Sequence, residues 1–424
     1  MSNYTKVIKL IMVSELNNNK FYDLYDHGDG TMHVEYGRVQ KTSVSKSYSI
    51  SEWDSIYRSK TKKGYQDVTH LHKETIEGNG LETTVTKKIV RKEIDNPIIN
   101  KIFSRLQQYA NVVVQEKYTV TSEAVTQAMV DEAQEVINDI SGSLKINVDH
   151  KELNKKLLKL FTIIPRQMNK VQYHLFTAIT NQKELEEASK KISSEQDTLD
   201  TMAGQVLANT KKKKAIQVAQ EKHEDYKDVT ILEELGLLIE ETNADENEQI
   251  KKALGDMKNN FKKAYKVVNI ETQNKYENHT SKYDNVPKRE ELFWHGSRNQ
   301  NWYFILQKGL LIRPKNSIYS GSMWGDAVYF ANKAKKSAGY SSFRGSYWAK
   351  GNDDSGFLAI YAVNVGKQWH WTKHNSDAYK LSKKMLDDNK YDSVYAHGGA
   401  DLINDEFTIY EPEKCTIKYL VEIS

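Results

Sequence analysis

Apolar and polar residues alternate with a period of two near the start of the chain, and strand-like runs return near its end. Between them the spacing is helical. The run Val7-Ile8-Lys9-Leu10-Ile11-Met12-Val13 and the segment Phe21–Tyr25 read as strands. Asp29-Gly30 marks a hairpin turn, because both residues tolerate positive φ. Thr31–Val39 follows as a strand with Met32, Val34 and Tyr36 on one side. Ser51–Tyr57 reads as a short helix opened by a serine cap, and the meander is expected to close near Val90.

Ile99, Ile102, Phe103, Leu106, Tyr109 and Val113 then share one helical face, and Val125, Met129, Ala133, Val136, Ile137 and Ile140 share another. Asp149 is positioned to cap a third helix, with Leu153, Leu157, Leu160, Phe161 and Ile164 as its apolar stripe and Pro165 as its stop. Glu184–Ala208 adds a further helix, so the stretch reads as a bundle. Lys211-Lys212-Lys213-Lys214 reads as a solvated joint, and Asn243–Lys263 as a polar helix. From Val267 onward glycine, tryptophan and tyrosine become frequent. Leu358–Val363, Thr408–Tyr410 and Thr416–Val421 look like strands of antiparallel sheets. The expected fold class is multidomain α+β: a small antiparallel β domain over 1–94, an all-α bundle over 95–212 and an antiparallel-sheet domain over 213–424.

Composition narrows the chemistry. The single cysteine, Cys415, excludes an internal disulfide and a cysteine-based zinc site, and it fits a reducing, intracellular setting. The start carries no basic run followed by a long apolar stretch, and no segment has the ~20 apolar residues of a membrane span. A net charge of +4, from 61 basic and 57 acidic residues, does not suit a protein that coats nucleic acid indiscriminately, but it permits a local basic face. There is no G-x-x-x-x-G-K-[ST] loop and no G-x-G-x-x-G between strand and helix, and Asp26–Gly30 lacks the ligand ladder of a calcium loop.

The informative residues come late. Phe293-Trp294-His295-Gly296-Ser297-Arg298 precedes Val328-Tyr329-Phe330-Ala331, then Lys336-Ser337-Ala338-Gly339-Tyr340, and last Asn404-Asp405-Glu406-Phe407. A histidine can grip a ribose hydroxyl through a ring nitrogen. Two tyrosines, Tyr329 and Tyr340, can flank a cationic nicotinamide ring. A carboxylate, Glu406, can face the oxocarbenium-like carbon that forms when such a ring leaves its sugar. A glycine beside the histidine lets backbone approach a ligand. These parts suit a reaction that consumes NAD+ as a substrate, with no metal.

Residues ~220–424 resemble the catalytic region of poly(ADP-ribose) polymerases, and the helical stretch before it, with Leu160-Phe161-Thr162-Ile163-Ile164-Pro165, resembles their regulatory helical domain. The first part resembles the WGR domain, the motif reading Tyr36-Gly37-Arg38 here. The resemblance implies catalytic roles for Glu406, His295 and Tyr329, with Glu406 also bonding a ribose hydroxyl and orienting the acceptor. It implies Gly296 and Ser337 on the carboxamide and Tyr340 on the ring, while Ser297, Arg298 and Asn301 line the adenosine side. It implies DNA contact through Tyr36, Gly37 and Arg38, which alternate so that ring and guanidinium share a face and meet a 5′ phosphate at a strand break.

Two departures stand out. Asp326-Ala327 replaces a basic residue and a glycine, and the Ser320–Trp324 loop differs from the aromatic-rich version. The expected activity is DNA-break-stimulated ADP-ribosyl transfer, forming poly(ADP-ribose) on protein acceptors including the chain itself, by a monomer associated with DNA. The setting is nuclear in a eukaryote, and cytoplasm or nucleoid in a bacterial or viral context. The alternatives are transfer of a single ADP-ribose, NAD+ hydrolysis, or a non-catalytic DNA-end scaffold.

Overall fold

The computed structural model describes residues 4–39, 41–73, 92–118, 125–145, 149–166, 168–221, 229–281, 289–312 and 323–424. The expected close of the meander near Val90 and the residues Ser320–Ser322 lie outside them. In chain order the elements are β1 (Lys6–Ser14), β2 (Asn18–Asp26), β3 (Thr31–Arg38), β4 (Val44–Ser49), α1 (Trp53–Lys62) and β5 (Gln66–Asp67). The helices α2 (Pro97–Lys117), α3 (Gln127–Lys145), α4 (His150–Ile163) and α5 (Gln182–Glu221) follow. Then come α6 (Ile231–Leu235), β6 (Leu237–Glu241), α7 (Ala244–Leu254), β7 (Phe261–Asn269), α8 (Ile270–Ser281), β8 (Glu290–Gly296), α9 (Trp302–Lys308), β9 (Val328–Phe330) and α10 (Ala334–Ala338). The chain ends with β10 (Gly356–Asn364), β11 (Gln368–Trp371), α11 (Lys383–Asp388), β12 (Ser393–Ala396), β13 (Glu406–Ile409) and β14 (Cys415–Ile423). The chain divides into two compact units, one of 1–88 and 111–209, the other of 89–110, 210–317 and 321–424, with 318–320 assigned to the first.

In the first unit the antiparallel sheet runs β4-β3-β2-β1-β5. Strand periodicity gives β1 two buried faces. Leu10 packs with Tyr22, Leu24, Met32, Val34 and Trp53 on one side. Ile11 and Val13 join Met129, Ile137, Leu157 and Phe161 of the helices on the other. The turn between β2 and β3 takes its positive φ at Gly28 and Gly30, while the Asp29 carboxylate accepts from the Thr31 amide at 2.9 Å. The serine that caps the segment before α1 is Ser49, whose hydroxyl accepts from the Ser51 amide. Asp149 sits at the start of α4, but its carboxylate pairs with His150 instead of capping.

The lysine run 211–214, expected as a joint, lies within α5, a helix of 40 residues. Lysine is a good helix former, and charge alone does not break a helix. Among the described residues, no helix is long and apolar enough to cross a membrane.

The second unit holds a five-stranded antiparallel sheet, β6-β7-β14-β10-β8, and a four-stranded sheet, β11-β12-β13-β9. The second sheet is mixed: β11 pairs parallel to β12, with α11 in the connection between them. The polar helix expected over Asn243–Lys263 stops earlier. Gly255 takes φ +55 at the end of α7, and Phe261 opens β7, which pairs with β14. Strand β10 is buried from Gly356 to Val363, which explains its unbroken apolar run. Backbone bonds between Trp294 and Ala331, at 2.8 and 3.0 Å, tie β8 to the end of β9 and so join the two sheets. Phe293 stacks on Phe407 at 4.1 Å across this junction.

Candidate active site

The junction of the sheets gathers the late motifs. His295, the penultimate residue of β8, is in register with Ala359 of β10, and Tyr329 on β9 pairs with Thr408 of β13, the strand that Glu406 opens. The His295 ring lies among Trp302, Phe330 and Tyr361, each edge-on at 6.0–6.4 Å. Its Nδ1 is 3.0 Å from the Tyr329 carbonyl. A carbonyl only accepts, so Nδ1 carries the proton and Nε2 of the neutral ring presents a lone pair. Burial lowers the His295 pKa from its ordinary 6.5, against the bond to Tyr329, and so favours that neutral form.

Gly296 follows, and here the sequence demands glycine. A Cβ would lie 1.9 Å from the Ser337 carbonyl oxygen. The backbone at 296 therefore lies against Ser337, which is buried on α10. Ser297 and Asn301 meet through an Asn301 Nδ2 bond to the Ser297 hydroxyl at 3.1 Å, while Arg298 is exposed. The Asn301 Oδ1 atom is buried with no hydrogen-bond partner among the described residues.

The two tyrosines differ. The Tyr329 hydroxyl accepts from the Trp324 amide at 3.0 Å and donates to the Gly325 carbonyl at 2.7 Å, so its head is fixed in the turn before β9. Tyr340 has a ring plane within 19° of Trp348, at 6.1 Å. Burial, then the charge of Glu406, pushes the Tyr340 phenol up to about 12. Burial first, with Tyr410 and Glu406 adding, also raises Tyr329. Both phenols thus stay neutral and sense the same carboxylate.

Glu406 is 7% exposed. Its Oε1 is 2.9 Å from the Lys336 ammonium, and its Oε2 accepts from the Trp324 indole Nε1–H at 3.1 Å. Lys336 also donates to the Asn404 and Asp405 carbonyls at 3.0 and 3.1 Å, which fixes the turn leading into β13. Burial lowers the Lys336 pKa against the pull of Glu406. Sequence reasoning gave neither Lys336 nor Trp324 a role. Lys336 is one of three lysines among residues 333–336 and reads as solvated, and nothing in the spacing marks a tryptophan as a donor.

Tyr36, Gly37 and Arg38 lie on β3 of the first unit. Tyr36 stacks on Tyr22 at 5.2 Å, with the Lys60 ammonium 3.8 Å over the Tyr22 ring. Arg38 donates to the Asn17 carbonyl and side-chain oxygen at 2.9 and 3.2 Å and to the Asn169 carbonyl at 3.3 Å. All three acceptors are neutral.

The family described as poly(ADP-ribose) polymerase catalytic domain matches residues 244–424. The poly(ADP-ribose) polymerase-like protein 100L of Invertebrate iridescent virus 6 is 32% identical over 174 residues, 40% of this chain and 91% of that protein. The same virus's protein 101L is 35% identical over 202 residues, 47% of this chain and 78% of that protein. Poly(ADP-ribose) polymerase 1 of Danio rerio is 28% identical over 179 residues, 37% of this chain but only 17% of its own length. Sequence match and fold together define a transferase domain built on two joined sheets. The chain belongs to the poly(ADP-ribose) polymerase family and is an ADP-ribosyltransferase that uses NAD+ as its substrate.

Proposed function

We propose that the chain transfers ADP-ribose from NAD+ to protein acceptors, itself included, that it extends the product to poly(ADP-ribose), and that DNA breaks stimulate it. The reading of the site rests on one observation: a buried carboxylate, Glu406, is held at both oxygens, on a sheet joined by backbone bonds to the strand of His295, whose Nε2 is left as an acceptor. In this reading His295 Nε2 accepts from a ribose hydroxyl, Gly296 and Ser337 hold the carboxamide, and Tyr340 and Tyr329 flank the pyridinium ring. Ser297, Arg298 and Asn301 face the adenosine side. The bond from C1′ to the ring nitrogen breaks, and its electron pair leaves with nicotinamide, which departs neutral. The C1′ cation faces Glu406, an attraction of about 4 kcal/mol at ~4 Å before desolvation and the opposing Lys336 charge are subtracted. An acceptor oxygen or nitrogen then bonds to C1′, and Glu406 takes its proton.

The DNA-dependent part of the proposal assigns 1–94 as a WGR-like end sensor and 95–212 as a helical regulator of the transferase region 213–424. Its support is the Tyr36–Arg38 strand, with the Lys60 cation stacked over the neighbouring Tyr22 ring. A 5′ phosphate would compete with the neutral acceptors on Arg38, and a charged oxygen is the stronger partner. A second reading, transfer of a single unit, is favoured by Asp326. An acid near the site disfavours the pyrophosphate of an incoming chain end.

One assay separates these readings. Labelled NAD+ is incubated with the protein, with and without 5′-phosphorylated nicked DNA, and products are resolved by size. A ladder that appears only with DNA supports the full proposal, and a single added unit supports the second reading. Equal products with and without DNA would remove the end-sensing role. Free ADP-ribose alone would replace transfer to an acceptor with hydrolysis.

A further inference from the structure

Each oxygen of Glu406 has its own donor, and the two donors differ in kind. Lys336 presents a rotatable ammonium, which satisfies a carboxylate in many orientations. The terminal torsion of a glutamate is broad, so a point charge leaves the plane of the carboxylate loosely set. The indole Nε1–H of Trp324 is a single directional donor that does not ionise, and it reaches Oε2 at 3.1 Å.

The indole is itself fixed. Trp324 is 1% exposed, and its ring meets Trp371 and His374 edge-on at 5.8 and 5.4 Å. The Tyr410 hydroxyl donates to its carbonyl at 2.5 Å, and its amide donates to the Tyr329 hydroxyl. His374 holds the preceding residue through the Met323 carbonyl at 2.9 Å. The next residue, Gly325, has φ +75, and a Cβ there would lie 2.1 Å from the Leu381 carbonyl oxygen. The chain around Trp324 is held from four sides, so its donor is aimed before substrate arrives.

We propose that Trp324 is a positioning residue for ADP-ribosyl transfer: its indole N–H sets the plane in which Glu406 faces the ribose and the acceptor. The proposal rests on the reading of Glu406 as catalytic. Phenylalanine at this position would fill the space but leave Oε2 free to turn. The tyrosine bonds to the backbone of residue 324 do not depend on the side chain, so they survive the substitution.

The test is a double-mutant cycle on the full chain. Trp324→Phe, Glu406→Gln and the double variant are assayed for ADP-ribosyl transfer at saturating and limiting NAD+. Trp324→Phe is expected to lower kcat about 10- to 100-fold, the effect of removing one hydrogen bond to a charged group. KM for NAD+ should change less than about 3-fold, because ground-state binding is left in place. In the Glu406→Gln background the same substitution should cost less than about 3-fold, since its target is already disabled.

A Trp324→Phe protein with unchanged kcat overturns the proposal. So does a full, additive loss in the double variant, which would place Trp324 in a structural role independent of Glu406. If Glu406→Gln alone transfers normally, the reading of Glu406 fails first and Trp324 falls with it. Should Trp324→Phe fail to fold, benzothienylalanine at 324 supplies an isosteric ring without the N–H, and the same kcat loss is expected. Normal kcat with that ring overturns the proposal.

Discussion

The Lys336 ammonium lies 2.9 Å from Glu406 Oε1 and within 3.1 Å of the Asn404 and Asp405 carbonyls, so one cation holds both the carboxylate and the turn that delivers it. Three acceptors converge on a largely buried ammonium, and removing it strands them. Lys336→Met is therefore expected to lower kcat by about 10- to 1000-fold, or ~1.5–4 kcal/mol of transition-state stabilisation, and to lower the melting temperature. Lys336→Arg should recover the stability but not all of the rate, because a planar fork cannot reproduce three bonds from one point. Steady-state kinetics and thermal melts on both variants check this. A Met variant with unaltered rate would show that the turn needs no cation.

Glu406→Gln keeps shape and removes charge. Transfer should slow by ~2–4 kcal/mol of transition-state stabilisation, as for loss of one preorganised electrostatic contact. Retained binding of NAD+, measured by calorimetry, would separate this from misfolding. Elongation should disappear with it, because the same oxygen would orient the acceptor hydroxyl. A Gln variant that still builds a ladder on wild-type timing would remove Glu406 from the mechanism.

His295 gives a pH signature. Its pKa is lowered by burial, and in the proposed mechanism its working nitrogen is the unprotonated Nε2. Protonation converts that acceptor into a donor, so kcat/KM for NAD+ should hold as pH falls through 6.5, the ordinary histidine value, and drop only below it. Rate profiles between pH 5 and 8 read this directly. A midpoint above 6.5 would show that burial does not lower the pKa of this ring.

Much of the candidate site was legible because the proposed chemistry needs particular side chains. A histidine, a tyrosine and a carboxylate suited to the roles proposed for them are conspicuous as His295, Tyr340 and Glu406, and the structure brings the first and last to one sheet junction. The helical stripes were legible for a similar reason: Val125, Met129, Ala133, Val136, Ile137 and Ile140 are all buried. Tyr109 and Val113 are only half-buried, while Ala110 and Val114 take the buried face of α2. What pattern could not carry was decided by tertiary contact. Phe261–Asn269 is a strand because β14 pairs with it, although its lysines mask the alternation. Trp324 becomes a donor to Glu406 only through a fold that joins positions 82 residues apart.

The first unit hides an ion pair that composition did not suggest. Arg166 and Glu195 are both buried and bonded to each other, and the guanidinium lies 4.4 Å over the Phe161 ring and 5.3 Å from that of Tyr118. Burial acts against the Glu195 charge, but Arg166 outweighs it, and the net pKa is lowered from 4.5. A carboxyl whose folded pKa lies below its unfolded value stabilises the fold fully above the unfolded value, and that contribution is lost as pH falls through the folded one. The unit should therefore lose stability in acid, starting below 4.5. Glu195→Gln removes the charge and leaves a buried guanidinium without its counterion, at an expected cost of about 3–5 kcal/mol at neutral pH. The variant should also lose the part of the acid dependence that Glu195 supplies, because no titrating group remains at 195. Urea unfolding of wild type and variant between pH 3.5 and 7 checks both statements. Equal stabilities at pH 7, or an unchanged acid slope, would show that the pair contributes nothing to the fold.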